Sequence, residues 1–237
     1  MVSRRDAPID LPNFSHGTAG VGFFLARLGH RSGEARFLEA ANQAAQYIES
    51  IRVGEGDLFL VPYGVPNEGY ATPYDVGWAH GPAGTGLLFY ELWRIGVRGD
   101  PSGVEGAAAT ILASGVPGSS RDTSIWRGPF RWDRRFGTAG SAMFLFDWGH
   151  ERGEEESLVR AFAIAEDLER RSTVEDGGRW WAVPLYGFQG EGEGEFTGYF
   201  YGAAGFGLAL LRAQYGRVGQ SPRFRLPDDP FDRDPGA

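Results

Sequence analysis

Four closely matched pentads recur along the chain: His16-Gly17-Thr18-Ala19-Gly20, His80-Gly81-Pro82-Ala83-Gly84, Phe136-Gly137-Thr138-Ala139-Gly140 and Tyr201-Gly202-Ala203-Ala204-Gly205. Their first glycines lie 64, 56 and 65 residues apart. An internal repeat of this kind constrains the fold strongly, because one repeat cannot bury its own apolar face and must stack on its neighbours. Each pentad opens a run that is apolar nearly all round: 21–28, 87–95, 143–148 and 206–215. A helix apolar on every side is a buried one, so these runs read as inner helices.

A second, amphipathic segment follows the first three. Phe37, Ala41, Ala44, Ile48 and Ile51 recur at three- and four-residue steps and put one face inward. The second such segment begins at Asp100-Pro101 and stops at Gly115, a capping acid, a proline near the first turn and a terminating glycine. The third carries Glu154, Glu155 and Glu156 at its start and Arg170 and Arg171 at its end, matching the helix dipole at both termini. The expected fold is all-α: about four helical hairpins with GxxG inner-helix starts, in one domain over residues 1–220 with repeats beginning near 13, 77, 133 and 198. Residues 221–237, rich in Pro, Asp and Arg, form a tail that is a strap or disordered.

Two glycines three apart at a helix start let neighbouring starts pack closely and let the chain turn sharply into the helix. The alternative is functional: free N–H groups at several such starts would converge on one end of the array and make a cavity of partial positive potential. Long aromatic, Gly/Pro-rich connections precede the second and fourth pentads, with Val61-Pro62-Tyr63-Gly64 and Val183-Pro184-Leu185-Tyr186-Gly187 at nearly the same offset. Connections of that length carry function or form a rim.

Absences narrow the chemistry. The chain has no Cys, which removes disulfides, thiolate ligands and a cysteine nucleophile together. It has no Lys either, all 23 basic residues being Arg, so a Schiff-base or P-loop lysine is excluded. A net charge of −8 argues against a nucleic-acid backbone or an anionic membrane as the main partner. No stretch approaches the roughly 18 apolar residues of a membrane span, and residues 1–12 lack an apolar signal core, so the expected compartment is the cytoplasm.

Asn13-Phe14-Ser15-His16-Gly17-Thr18-Ala19-Gly20 and Gly77-Trp78-Ala79-His80-Gly81-Pro82-Ala83-Gly84 resemble the lanthionine synthetase C-like family, over roughly residues 12 to 215. The resemblance implies an α/α toroid, of which this chain matches the C-terminal four repeats of seven. It also implies a central zinc ion held by two Cys and one His. That metal activates a peptide cysteine thiol for addition to dehydroalanine or dehydrobutyrine, forming a thioether ring. Mapped onto this sequence, the Trp-Cys-x-Gly motif reads Trp78-Ala79-His80-Gly81, and the family's Cys-His pair reads Arg135-Phe136. Ala and Phe offer no lone pair and Arg stays protonated, so the expected metal and cofactor content is none. An arginine usual in the family is replaced by Asp75.

His16 matches the family histidine that acts as acid or base near the forming ring, and His80 occupies the equivalent repeat position. These two are the candidate catalytic residues. Trp78, Ala79, Asp75 and Arg135, with the helix-start glycines Gly17, Gly81, Gly137 and Gly202, are the candidate cavity. Each histidine reads equally as a packed helix-start residue. With Asp75 or Asp133 the pair would make a two-histidine, one-carboxylate metal site.

Three functional readings follow. The first is a zinc-free relative that binds a peptide or small thiol without cyclising it. The second is a metal-independent acid/base enzyme using His16 and His80. The third is an α/α-barrel carbohydrate enzyme, resting on Glu191-Gly192-Glu193-Gly194-Glu195 with Trp180, Trp181 and Tyr186 upstream. Against it, acids alternating with glycine also read as a solvated loop, and the Trp pair as core or rim. Four repeats would leave apolar faces on the first and last hairpins, so a second copy or another chain is the expected partner.

Overall fold

The computed structural model describes residues 9–54, 56–67, 74–118, 138–184, 193–199 and 202–218. Seven α-helices lie among them: α1 (Thr18–Ser32), α2 (Ala35–Ile51), α3 (Pro82–Arg94), α4 (Ser102–Ser114), α5 (Thr138–Arg152), α6 (Glu155–Arg171) and α7 (Ala203–Arg217). Helices α1 and α2, α3 and α4, and α5 and α6 pair as hairpins. Helices α1, α3, α5 and α7 pack on one another in chain order, which makes them the inner row.

The hairpins are built from the expected signals. Asp100 accepts the Ser102 N–H at 3.0 Å just before α4, and Gly115, at φ 78°, ends that helix in the left-handed conformation that suits glycine. Two hydrogen bonds to Ser102, from its hydroxyl and its N–H, hold the Asp100 carboxyl below the usual carboxylate range. Helix α6 carries Glu155 and Glu156 in its first turn and Arg170 and Arg171 in its last. Where α1 meets α2, Gly29 leaves room for Leu38, and where α5 meets α6, Gly149 leaves room for Leu158.

The core runs along the inner row. Leu88, Leu92, Leu145, Trp148 and Phe206 are almost wholly buried, joined from the outer helices by Ile48, Ile111, Ile164 and Leu168. Burial of the inner helices is uneven, which corrects the expectation that all four are enclosed. Helices α3 and α5 are buried nearly all round, but Val21 and Phe24 on α1 and Leu211 on α7 are exposed. An apolar run is buried only if something packs on each of its sides, and α1 and α7 are the end members of the described row.

The connection after α6 is not an irregular loop throughout. It contains two antiparallel ribbons, β1 (Thr173–Glu175) with β2 (Gly178–Trp180), and β3 (Ala182–Pro184) with β4 (Glu193–Glu195). The first turns on Asp176-Gly177, both at positive φ, the dipeptide that suits a tight hairpin. Trp181 follows it into the core, stacks on Phe206 with ring centroids 4.9 Å apart, and donates its indole N–H to the Leu168 carbonyl at 2.8 Å. Trp181→Phe keeps the stacking and removes the hydrogen bond. Chemical denaturation is expected to show a loss of about 1 kcal/mol.

Candidate functional site

The helix starts share one construction. Residues 13–17 and 77–81 form the same turn, and Gly17, Gly81 and Gly202 have nearly the same backbone angles, with φ between −132° and −144°. Any residue can adopt those angles, so the need for glycine is steric. A Cβ on Gly17 would lie 1.7 Å from the Leu11 carbonyl oxygen, on Gly20 2.1 Å from that of Phe14, and on Gly84 1.8 Å from that of Trp78. On Gly81 and Gly202 it would lie 2.5 Å and 2.2 Å from the carbonyl oxygens of Asp75 and Phe196. In every case the oxygen belongs to the residue six positions upstream, so the glycines clamp a turn of the backbone beneath the helix start.

This clamp also decides what the helix N-termini offer. At α1 the Thr18 and Ala19 amides donate to the Leu11 and Pro12 carbonyls, at 3.0 and 2.9 Å. At α7 the Ala203 and Ala204 amides donate to Phe196 and Thr197. Helix α3 begins with Pro82, which has no N–H. At α1 and α7 the turn has therefore already taken the two leading donors, so they are not free to line a cavity.

Adjacent turns are tied together. The Ser15 N–H donates to the Ala79 carbonyl at 3.1 Å, and Asn13 bridges by donating to Pro62 O at 2.7 Å while accepting from Thr85 Oγ1 at 3.1 Å. Behind them Phe14 packs between Phe23 and the edge of Trp78, at centroid distances of 5.3 and 4.8 Å. Both Asn13 and Trp78 are buried. The two turns therefore hold a fixed relation, and residues 16 and 80 with them.

His16 and His80 are brought together, their rings 5.5 Å apart between centroids. His16 is exposed and His80 is buried, at 4% of its free surface. Tyr63 lies over His80 at 4.1 Å with the rings inclined by 31°. Tyr63 is the residue sequence reasoning passed over, although it sits in the repeated Val-Pro loop, a connection of the length that carries function. The result is a three-ring row, phenol, buried imidazole, exposed imidazole, at the helix-start end of the first two repeats.

The remaining candidates divide. Ala79 is fully buried behind this row, and Trp78 serves the aromatic packing beneath it. Asp75 turns a carboxylate oxygen onto the Gly77 N–H at 2.9 Å, closing its own turn. Among the described residues no three or more of His, Cys, Asp and Glu gather so as to hold a metal ion, so His16, His80 and Asp75 do not form the alternative two-histidine, one-carboxylate set. Asp133, Arg135, Phe136 and Gly137 lie outside the described residues, as do Tyr186, Glu191, Gly192 and the 221–237 tail. Of the acidic loop, Glu193–Glu195 is strand β4, and Glu195 is exposed.

No described helix is long and apolar enough to cross a membrane. No curated protein matches the chain. The family model for lanthionine synthetase C-like protein matches residues 11–111, which begins at the carbonyl clamped by Gly17 and takes in α1 to α3 with most of α4. Over that segment the match and the clamped helix starts coincide, and residues 11–111 of the chain are similar to the lanthionine synthetase C-like family.

Proposed function

We propose that this protein is a zinc-free member of the family, which binds a peptide or a small thiol compound at the helix-start end of the array without closing a thioether ring. The observation that carries this reading is Ala79. It stands where the family has a cysteine ligand, it is fully buried, and its carbonyl is engaged by the Ser15 N–H. Arg135 and Phe136 stand at the other two ligand positions in the sequence. None of the three side chains offers a lone pair to zinc, so the donor set does not fit the metal and no step is routed through it. What the site offers a ligand is the exposed His16 ring beside His80 and Tyr63, groups suited to stacking and to hydrogen bonds.

Metal analysis of protein purified in the presence of zinc is expected to find well under one zinc per chain, and a stoichiometric ion would overturn the proposal. Titration with glutathione and with a cysteine-containing peptide, followed by histidine NMR signals, is expected to perturb His16 and His80. His16→Ala should then weaken binding by about tenfold, the equivalent of one hydrogen bond worth about 1.4 kcal/mol. Formation of a thioether from a dehydroalanine peptide would refute the non-cyclising part.

A second reading is supported by the same ring row. An exposed imidazole backed by a buried one has the chemistry of an acid/base pair. Any turnover found should fall by at least a hundredfold in His16→Ala. Full retention removes this reading and leaves binding.

A further inference from the structure

Residues 59–65, between α2 and α3, are an anchored connection. The Phe59 N–H donates to Thr110 Oγ1 at 2.6 Å, and Leu60 exchanges two main-chain hydrogen bonds with Val53 at 2.8 and 3.0 Å. The Pro62 carbonyl accepts from Asn13 Nδ2 at 2.7 Å, and Val65 exchanges two more bonds with Asp10 at 2.8 and 3.0 Å. Asn13 is itself fixed from the other side by the Thr85 hydroxyl. Phe59, Leu60 and Val61 are buried, which ties the start of the segment to the core. Tyr63 stands between the last two anchors and is half-buried. Its ring is therefore held in place by main chain fixed on both sides.

That placement falls on one imidazole of two. His16 and His80 occupy the same position in the same turn, each directly before a helix-start glycine. Their surroundings differ. The His80 ring has Tyr63 over it at 4.1 Å and His16 beside it at 5.5 Å, and it is buried, whereas His16 is exposed. Rings inclined by 31° at that separation are in stacking contact, which closes that face of the imidazole to anything else.

We propose that Tyr63 is a specificity-determining residue of this site: it shields His80, so that of the two imidazoles a ligand meets only His16. That a ligand binds here rests on the functional reading given above; the shielding stands on the ring geometry alone. A ligand that offers one stacking or hydrogen-bonding group to one imidazole fits such a site. One that must be gripped between two imidazoles, a divalent cation included, is shut out while the phenol is in place. The ring and not its hydroxyl does the shielding, so phenylalanine is an adequate substitute and a short side chain is not.

The test is carbethoxylation of the full chain by diethyl pyrocarbonate, with each histidine followed separately by mass spectrometry. The chain has four histidines, and the exposed His30 and His150 serve as internal references. In wild type His16 is expected to react like the references, and His80 more slowly by a factor of about ten, since it is reached only through local opening. Tyr63→Ala, with unchanged circular dichroism, is expected to bring the His80 rate up to that of the references, and Tyr63→Phe to leave it slow. Tyr63→Leu keeps apolar bulk in the connection but cannot cover the imidazole, and gives the same gain if alanine unsettles the fold. A wild-type His80 as reactive as His30 overturns the proposal. So does a His80 that stays protected in both Tyr63→Ala and Tyr63→Leu. In a glutathione titration of wild type, the His16 NMR signal is expected to move more than that of His80. If neither moves, the ligand reading fails, while the carbethoxylation pattern still decides the shield.

Discussion

Gly84→Ala is expected to cost at least 3 kcal/mol and to lower the melting temperature by about 6–12 °C, on the scale of 2–4 °C per kcal/mol for a chain of this length. The added methyl would sit 1.8 Å from the Trp78 carbonyl oxygen and 2.8 Å from the Phe14 Cβ. Overpacking against a flexible side chain is relieved by a rotamer change, but here the obstacle is backbone, so the turn itself must move. That turn carries Ala79 and His80, and its displacement separates the His80 ring from Tyr63 and His16. Gly207→Ala is the matched control. The same chemical change at a helical position where no atom of the described residues lies within 4 Å of the new methyl should stabilise the fold by about 0.5–1 kcal/mol, the usual gain of alanine over glycine in a helix. Thermal melts of the two variants should move in opposite directions, and a Gly84→Ala melt within 2 °C of wild type would refute the clamp.

The second large effect concerns a buried carboxylate. Glu91 on α3 has a fully buried side chain and is held by Arg94, one turn later, through hydrogen bonds of 2.7 and 3.1 Å. Arg94→Met keeps most of the volume and removes the charge, leaving Glu91 enclosed without its guanidinium. Breaking a buried pair from one side costs about 3–5 kcal/mol, most of it the desolvated charge left behind. Replacing both partners, as Glu91→Gln with Arg94→Met, should recover most of that loss. Denaturant unfolding of the single and double variants gives the coupling directly. A single variant as stable as wild type would mean that other groups satisfy Glu91.

The helix boundaries were legible because their signals are local. Asp100-Pro101 and Gly115 bracket α4, acids and arginines sit at opposite ends of α6, and the pentads mark the inner-helix starts. The exposure of Val21 and Phe24 was not legible in the helix itself. Their run looks like that of Leu87 and Leu88, and only the presence or absence of a packed neighbour separates them. The site was half legible. His16 and His80 could be paired by repeat position, but Tyr63 reaches His80 across a long connection whose path depends on Asn13 gripping the Pro62 carbonyl. The first ribbon had an available signal in Asp176-Gly177, the tight-turn dipeptide between its two strands. The fate of the leading amides was hidden for a different reason: their acceptors are main-chain carbonyls, which no side-chain pattern reports.

The clamped turn has a consequence for how such a protein can change. Its closure depends on two missing Cβ atoms and a carbonyl six residues upstream, and on nothing that the side chains at positions 16 and 80 supply. Diversification of the imidazoles is therefore separable from folding, whereas the glycines beneath them are not open to substitution. Grafting experiments can use this directly. Loop sequence exchanged upstream of Leu11, Asp75 or Phe196 leaves the clamp whole, so new binding surfaces can be set on this scaffold at those three junctions without redesigning a helix.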